Sequence, residues 1–492
     1  MEILKKILVI LLVLPSFYGM TQNGFYKKYT AGSFVKGNGI TQLPDSSYAI
    51  TGVGGDFDGA SGQAYLMIVD SLGNYLWSQN YGSDTTDEVG VRVMHKEGEG
   101  FYIAGYSSET DDGNFNFMLL KTDELGNLLW QKNYGTANWE ILHDAMLLDN
   151  QIILVGETDG LTTQQKDMYM VFTDLNGDTL WTKTIASPVN DIAYAVDTIS
   201  SSELLIGGQK GDNNFEKGVL ISCSLTGSIN WSKFDNTRLI PFIKDVIVYE
   251  NEIYACGAYY NSDTTIYDIW YGQYDLNGNY LDHVQGDFVY STNTWIPAMA
   301  TIDDWDYSLF IAVEFDGPEA SPEPYPGGLD VQIIRFSRLM FYWGPSYNYS
   351  AYNDDFINQI IPTNDGGIAF IGTSSDNGKD LTAGTRGMLG KIGRNLVDPY
   401  VDDNDIEEFS ILSVYSESPK KSLKIYPNPT SDIIHLPSEV IGLTYEIHSI
   451  QGEIVLKGES KNILSLEGLT QGVYFLKIMG KDSVWTAKIS KR

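Results

Sequence analysis

An eight-residue pattern recurs along this chain: an acid or serine, a glycine three positions on, and a tryptophan four beyond that. It runs Asp70-Ser-Leu-Gly-Asn-Tyr-Leu-Trp77, then DELGNLLW (123–130), DLNGDTLW (174–181) and SLTGSINW (224–231). The first residue caps a tight turn, the glycine takes a positive-φ position, and an aromatic strand leaves the turn. The pattern is a hairpin, and its period of about fifty residues points to the blades of a β-propeller.

The strands around each hairpin keep step with it. A second strand of apolar residues ends at Gly52, Gly105, Gly156, Gly207, Gly257 and Gly372, while one copy ends at Val313 without glycine. Third strands follow at 65–70, 117–123, 168–174, 218–224, 269–275, 331–337 and 387–393. The expected fold is all-β: a seven-bladed propeller over 22–398. The pattern weakens along the ring. The fifth unit has Asp282 where tryptophan belongs, the sixth turn lacks glycine and carries a Pro-rich insertion at 316–328, and the seventh has lost the turn. Phe25-Tyr-Lys-Lys-Tyr29 matches the segments that follow the earlier turns, WSQNY and WQKNY. It is therefore expected to supply the outer strand of the last blade and close the ring. The recurring tryptophan reads as packing between blades.

The ends of the chain have a different character. Residues 1–21 read as a signal peptide, with Lys5 and Lys6 before an apolar run (7–14) and Pro15 after it. The run is far short of the roughly 20 residues that span a bilayer, and cleavage is expected near Thr21 and Gln22. Residues 399–421 read as an acidic linker and 422–492 as a second β-rich unit. The net charge of −32 lies almost wholly before that unit, which speaks against nucleic acid as a partner. Cys223 and Cys256 sit in apolar strands and read as small core residues.

The second unit closely resembles the type A C-terminal sorting domain of the type IX secretion system of Bacteroidota. The residues that carry the resemblance are Ile425-Tyr426-Pro427-Asn428-Pro429-Thr430, Tyr445 to Gly452, Leu469 to Phe475 with Gly472 and Tyr474, and the basic ending from Lys488. The resemblance implies a small seven-stranded sandwich, recognised by the secretion machinery after Sec export. It also implies a sortase that removes the domain, leaving the cargo on the outer surface of the outer membrane or released. The repeats are similar to the Gly- and Trp-rich propellers that precede such domains, and their turns loosely resemble the quinoprotein-type repeat.

In a propeller, the loops from second to third strand open on the same face as the connections between blades. Here those loops carry Asp56, Asp58, Asp111, Asp112, Asp159, Asp212, Asp263, Asp316, Asp376 and Asp380. Such carboxylates either serve turn chemistry and solubility or hold sugar hydroxyls or a divalent cation. Asp56 and Asp58, beside Gly59, are the candidate calcium ligands. No HExxH, nucleophile elbow, phosphate loop or Cys-x-x-Cys occurs. His95 and His143 read as strand residues rather than ligands. The expected function is recognition of a glycan or surface protein by one acidic face. The alternatives are a polysaccharide hydrolase or lyase, and a structural spacer. An enzyme requires polar side chains converging in a central pocket with a carboxylate of shifted pKa, whereas a spacer requires no pocket.

Overall fold

The computed structural model describes residues 24–30, 34–55, 62–82, 86–108, 114–136, 138–159, 165–212, 215–234, 240–261, 266–285, 294–295, 298–302, 308–316, 329–337, 342–349, 355–375, 385–393, 406–408, 421–423, 425–449, 454–479 and 484–492. Among these, the strands from Phe25 to Glu408 form seven sheets of four or five strands, antiparallel but for one short pairing. The second is typical: Glu88–Lys96, Gly100–Ser108, Phe115–Thr122 and Leu128–Tyr134 pair in sequence order. Inner strands of successive sheets pack side by side, and the seventh returns to the first, so the sheets form the ring of a propeller.

The apolar core follows that ring. Its buried residues divide into clusters shared by neighbouring sheets, such as Leu66, Ile68, Ile103 and Leu120 between the first and second. Leu205, Leu220, Ile253 and Trp270 do the same between the fourth and fifth. Cys223 and Cys256 are free and buried in such clusters. Alternation along each strand therefore serves two interfaces at once, which is why the second and third strands are apolar on both faces.

The turn glycines lie at these interfaces. A Cβ on Gly126 (φ +76°) would come within 2.7 Å of the Trp77 ring, and Gly177 and Gly278 stand in the same relation to Trp130 and Trp231. Each tryptophan thus lies on the turn of the next sheet. Hydroxyls reinforce the contact, Tyr81 donating to the Gly126 carbonyl and Tyr134 to that of Gly177, both at 2.8 Å.

The strand Phe25–Thr30 pairs antiparallel with Thr385–Ile392 and so joins the first described residues to the last sheet. Its register repeats the other outer strands: Phe25 lies against Gly73, and the Tyr29 hydroxyl donates to the Gly73 carbonyl at 2.6 Å. A short strand, Ile406–Glu408, pairs in parallel outside it, within the stretch read as linker.

After the ring, seven strands from Lys421 to Lys491 form a five-stranded and a two-stranded sheet around a core of Ile434, Ile447, Leu476 and Ile489. Among the described residues no helix is long and apolar enough to cross a membrane.

Candidate functional site

The second-strand glycines recurring along the sequence mark the centre of the ring. Gly52 pairs with Gly37, Gly105 with Gly90, Gly156 with Leu142, Gly257 with Ile243 and Gly372 with Ile357. Immediately after each partner the inner strand bulges by one residue, and the fourth sheet bulges between Ala193 and Ala195. A Cβ on Gly52, Gly105, Gly156, Gly257 or Gly372 would overlap the carbonyl oxygen of the inner-strand residue just before its partner. Glycine is what lets the bulged backbone approach so closely. In the sixth sheet, where Val313 replaces the glycine, the inner strand is split into Thr294–Trp295 and Met299–Thr301.

The extra residues of the six bulges are Asn38, Val91, His143, Tyr194, Lys244 and Asn358, and all six line one cavity of about 290 Å³. Val89 and Tyr106, a pair next to the bulge of the second sheet, line it too.

Hydrogen bonds between sheets circle the cavity. The Asn38 amide donates to the Gly90 carbonyl at 2.8 Å, and Arg92 Nε donates to Asp144 Oδ1 at 2.7 Å. Val196 N–H then donates to Asp144 Oδ2 at 2.9 Å, Val248 N–H to Asp197 at 2.7 Å and Met299 N–H to Asp245 at 2.7 Å. Ile357 N–H donates to Glu314 at 3.1 Å, and Ile40 N–H to Gln359 at 2.8 Å. Every junction of the ring is bridged.

Burial dominates the electrostatics here. It pushes the carboxyls of Asp245 and Glu314 up to about 7 and that of Asp197 up to about 6, against the lowering effect of the backbone N–H donors. It lowers Lys244, with the Arg92 charge adding to the effect. His143 is lowered by burial, against its 3.2 Å contact with Glu157, and Lys166 approaches the same carboxylate at 2.5 Å. The Lys244 ammonium lies 4.4 Å from the centre of the Tyr194 ring, whose own centre is 5.1 Å from that of His143.

The structure places few of the acidic loop residues singled out from the sequence. Asp159 is exposed at a strand end, its N–H donating to the Trp139 carbonyl at 2.8 Å. Asp212 and Asp316 end strands. Asp56, Asp58, Asp111, Asp112, Asp263, Asp376, Asp380 and Gly452 lie outside the described residues, as does the signal segment. Among the described residues no three His, Cys, Asp or Glu side chains gather as metal ligands. Sequence reasoning missed the bulge residues. The available signal was the strand-ending glycine, read one strand back.

In the C-terminal unit, Asn428 holds the Tyr-Pro-Asn-Pro segment to the last strand, its amide donating to the Lys488 carbonyl at 2.6 Å and its oxygen accepting from Ser490 N–H at 2.8 Å. Tyr426 stacks on His435 with ring centres 4.9 Å apart, and both Pro427 and Pro429 follow cis bonds. The Tyr474 hydroxyl donates to the Thr470 carbonyl at 2.8 Å, Gly472 opens the strand that carries Tyr474, and Lys488 is exposed.

Comparison with known proteins bears on the two regions differently. For the ring, the chain is similar to the WD40 domain of Pan2 from Neurospora crassa at 11% identity, covering 72% of this chain and 88% of that one with a TM-score of 0.43. It is similar to Sqt1 of Chaetomium thermophilum at 11% identity, covering 74% and 96% with a TM-score of 0.40. A glucose dehydrogenase matches at 12% identity, covering 61% and 95% with a TM-score of 0.35. No curated protein matches the chain. Residues 424–492 match the secretion system C-terminal sorting domain, and that tail marks the chain as secreted cargo of the type IX system.

Proposed function

We propose that this is a seven-bladed propeller (22–398) that binds a glycan-derived ligand outside the cell, carried there by a type A sorting sandwich (422–492). In this reading residues 1–21 are removed as a signal peptide, 399–421 form the linker, and the sortase leaves the propeller surface-attached or free. The observation that carries the reading is the convergence of six bulge residues from six sheets on one cavity. A spacer has no use for such a pocket. In this reading Asp56 and Asp58 would be the ligands of a calcium ion.

A polysaccharide hydrolase or lyase is the second reading, favoured by the raised carboxyl of Asp245 at the cavity wall. Against it, both Asp245 oxygens already accept backbone N–H groups, from Val246 at 2.8 Å and Met299 at 2.7 Å. Calorimetric titration of the mature chain with neutral and acidic mono- and disaccharides tests the reading. Saturable binding without turnover is expected, and it should be weakened in Tyr194→Ala. Product formation from a bound oligosaccharide would instead establish the enzyme. Export is tested separately. The full chain should reach the outer surface or medium, and a chain lacking 424–492 should stay in the periplasm.

A further inference from the structure

The groups on the cavity wall are unequally satisfied. The Asn38 and Asn358 amides donate to the Gly90 and Gly37 carbonyls, and Arg92 is committed to Asp144 and to the carbonyls of Asn38 and Val91. His143 faces Glu157, and the Tyr194 hydroxyl donates to Gln209 at 3.3 Å. Lys244 differs from all of these. Among the described residues its ammonium makes no ion pair; its contact is the face of Tyr194. Of the acids around it, Asp245 accepts from Val246 N–H of its own sheet and Met299 N–H of the next, Glu314 accepts from Ile357 N–H, and Glu157 faces His143 and Lys166. The nearby carboxylates favour the ammonium without offsetting the burial that lowers Lys244; a partly buried cation without a direct ion pair is costly, and a bound anion reduces that cost.

Size and shape narrow the choice. About 290 Å³ lies at the lower limit of small-molecule sites, room for about one sugar ring and not for a polymer or a folded protein. Tyr194 and His143, 5.1 Å apart, form an aromatic wall beside the ammonium. Such a wall suits the apolar face of a saturated ring.

We propose that the cavity binds a single carboxylated sugar ring of the uronic acid class, its carboxylate on the Lys244 ammonium and its ring face on Tyr194. This rests on the binding reading above and specifies its ligand. A strongly acidic protein thus keeps at its centre one ammonium that, among the described residues, no carboxylate pairs, and an acidic ligand would supply that pair.

The test uses the mature full-length chain, with D-glucuronate and D-glucose as probes in isothermal titration. Glucuronate should bind at least about tenfold more tightly than glucose, and the preference should shrink as salt rises. Lys244→Met should remove the preference, Lys244→Arg should keep most of it, and Tyr194→Ala should weaken both sugars. Lys244→Met should also unfold at or above the wild-type temperature, because it removes an unpaired buried charge. Equal binding of the two sugars, or an unchanged preference in Lys244→Met, would overturn this inference and leave the binding reading standing. Binding of neither probe, together with a null result across the neutral and acidic saccharides, would remove both.

Discussion

Gly98 and Gly126 hold nearly the same left-handed backbone, φ +79° and +76°, in entirely different surroundings. Around Gly98 a Cβ would meet nothing within 4 Å, whereas at Gly126 it would press on the Trp77 ring of the preceding sheet at 2.7 Å. Alanine at Gly98 therefore carries only the conformational cost, about 1–2 kcal/mol. Alanine at Gly126 carries that cost and displaces a packed indole as well, so a loss of about 2–4 kcal/mol is expected. Urea unfolding of the two variants compares them directly. If they lose the same stability, the tryptophan is not seated on the turn, and the recurring glycine serves the backbone alone. The same logic accounts for two departures in the sequence. The fifth unit loses its tryptophan at Asp282, and the sixth turn, which would have received it, is the one without glycine. A contact needing both partners has been lost from both.

At the scale of the element, the strand Phe25–Thr30 has the most leverage, because a ring has one seam. Its ladder with Thr385–Ile392 covers what would otherwise be an open edge. Phe25 and Tyr29 supply the contacts to Gly73 that Trp77 and Tyr81 supply to Gly126. Removing residues 24–30 should lower the unfolding temperature by about 10 °C or more and expose the last sheet to self-association. A synthetic peptide of the same residues should restore it. A deletion variant that melts like the parent would show that the seam is held elsewhere, for instance by the shared core of Tyr65 and Ile371. This element was legible in the sequence because it is built like the outer strands of the first two sheets: an aromatic residue, then a tyrosine four positions later. The central cavity was not. Its six residues are of five types, and the two that match, Asn38 and Asn358, meet across 320 positions of chain. What bulges have in common is a requirement on the neighbouring backbone. The glycines opposite them were visible, but their meaning belongs to the pair of strands and not to either one.

The ring as a whole is held by groups that titrate, and this gives the molecule a pH dependence of definite sign. Burial raises Asp197 to about 6, and Asp245 and Glu314 to about 7, from ordinary values of 3.8, 3.8 and 4.5. Each joins its own sheet to the next, so three consecutive junctions take up protons when the ring folds. A carboxyl raised in the folded state adds stability that is complete below about pH 4 and is lost as the pH climbs through 6 to 7. Self-repulsion in a chain of net charge −32 grows over the same range and acts in the same direction. Stability should therefore fall between pH 5 and pH 8. Asp245→Asn separates the two contributions, since the amide keeps an acceptor for Met299 N–H and cannot ionise. The variant begins less stable at pH 5, having one acceptor oxygen where the acid has two. Each pH unit from there to about 7 should then narrow its deficit, by up to about tenfold in the folding constant, and above that the deficit levels off. Urea midpoints for both proteins across this range provide the measurement. A deficit that stays constant with pH would mean that Asp245 is already ionised at pH 5, and that the junction to Met299 is a full charge accepting two backbone donors.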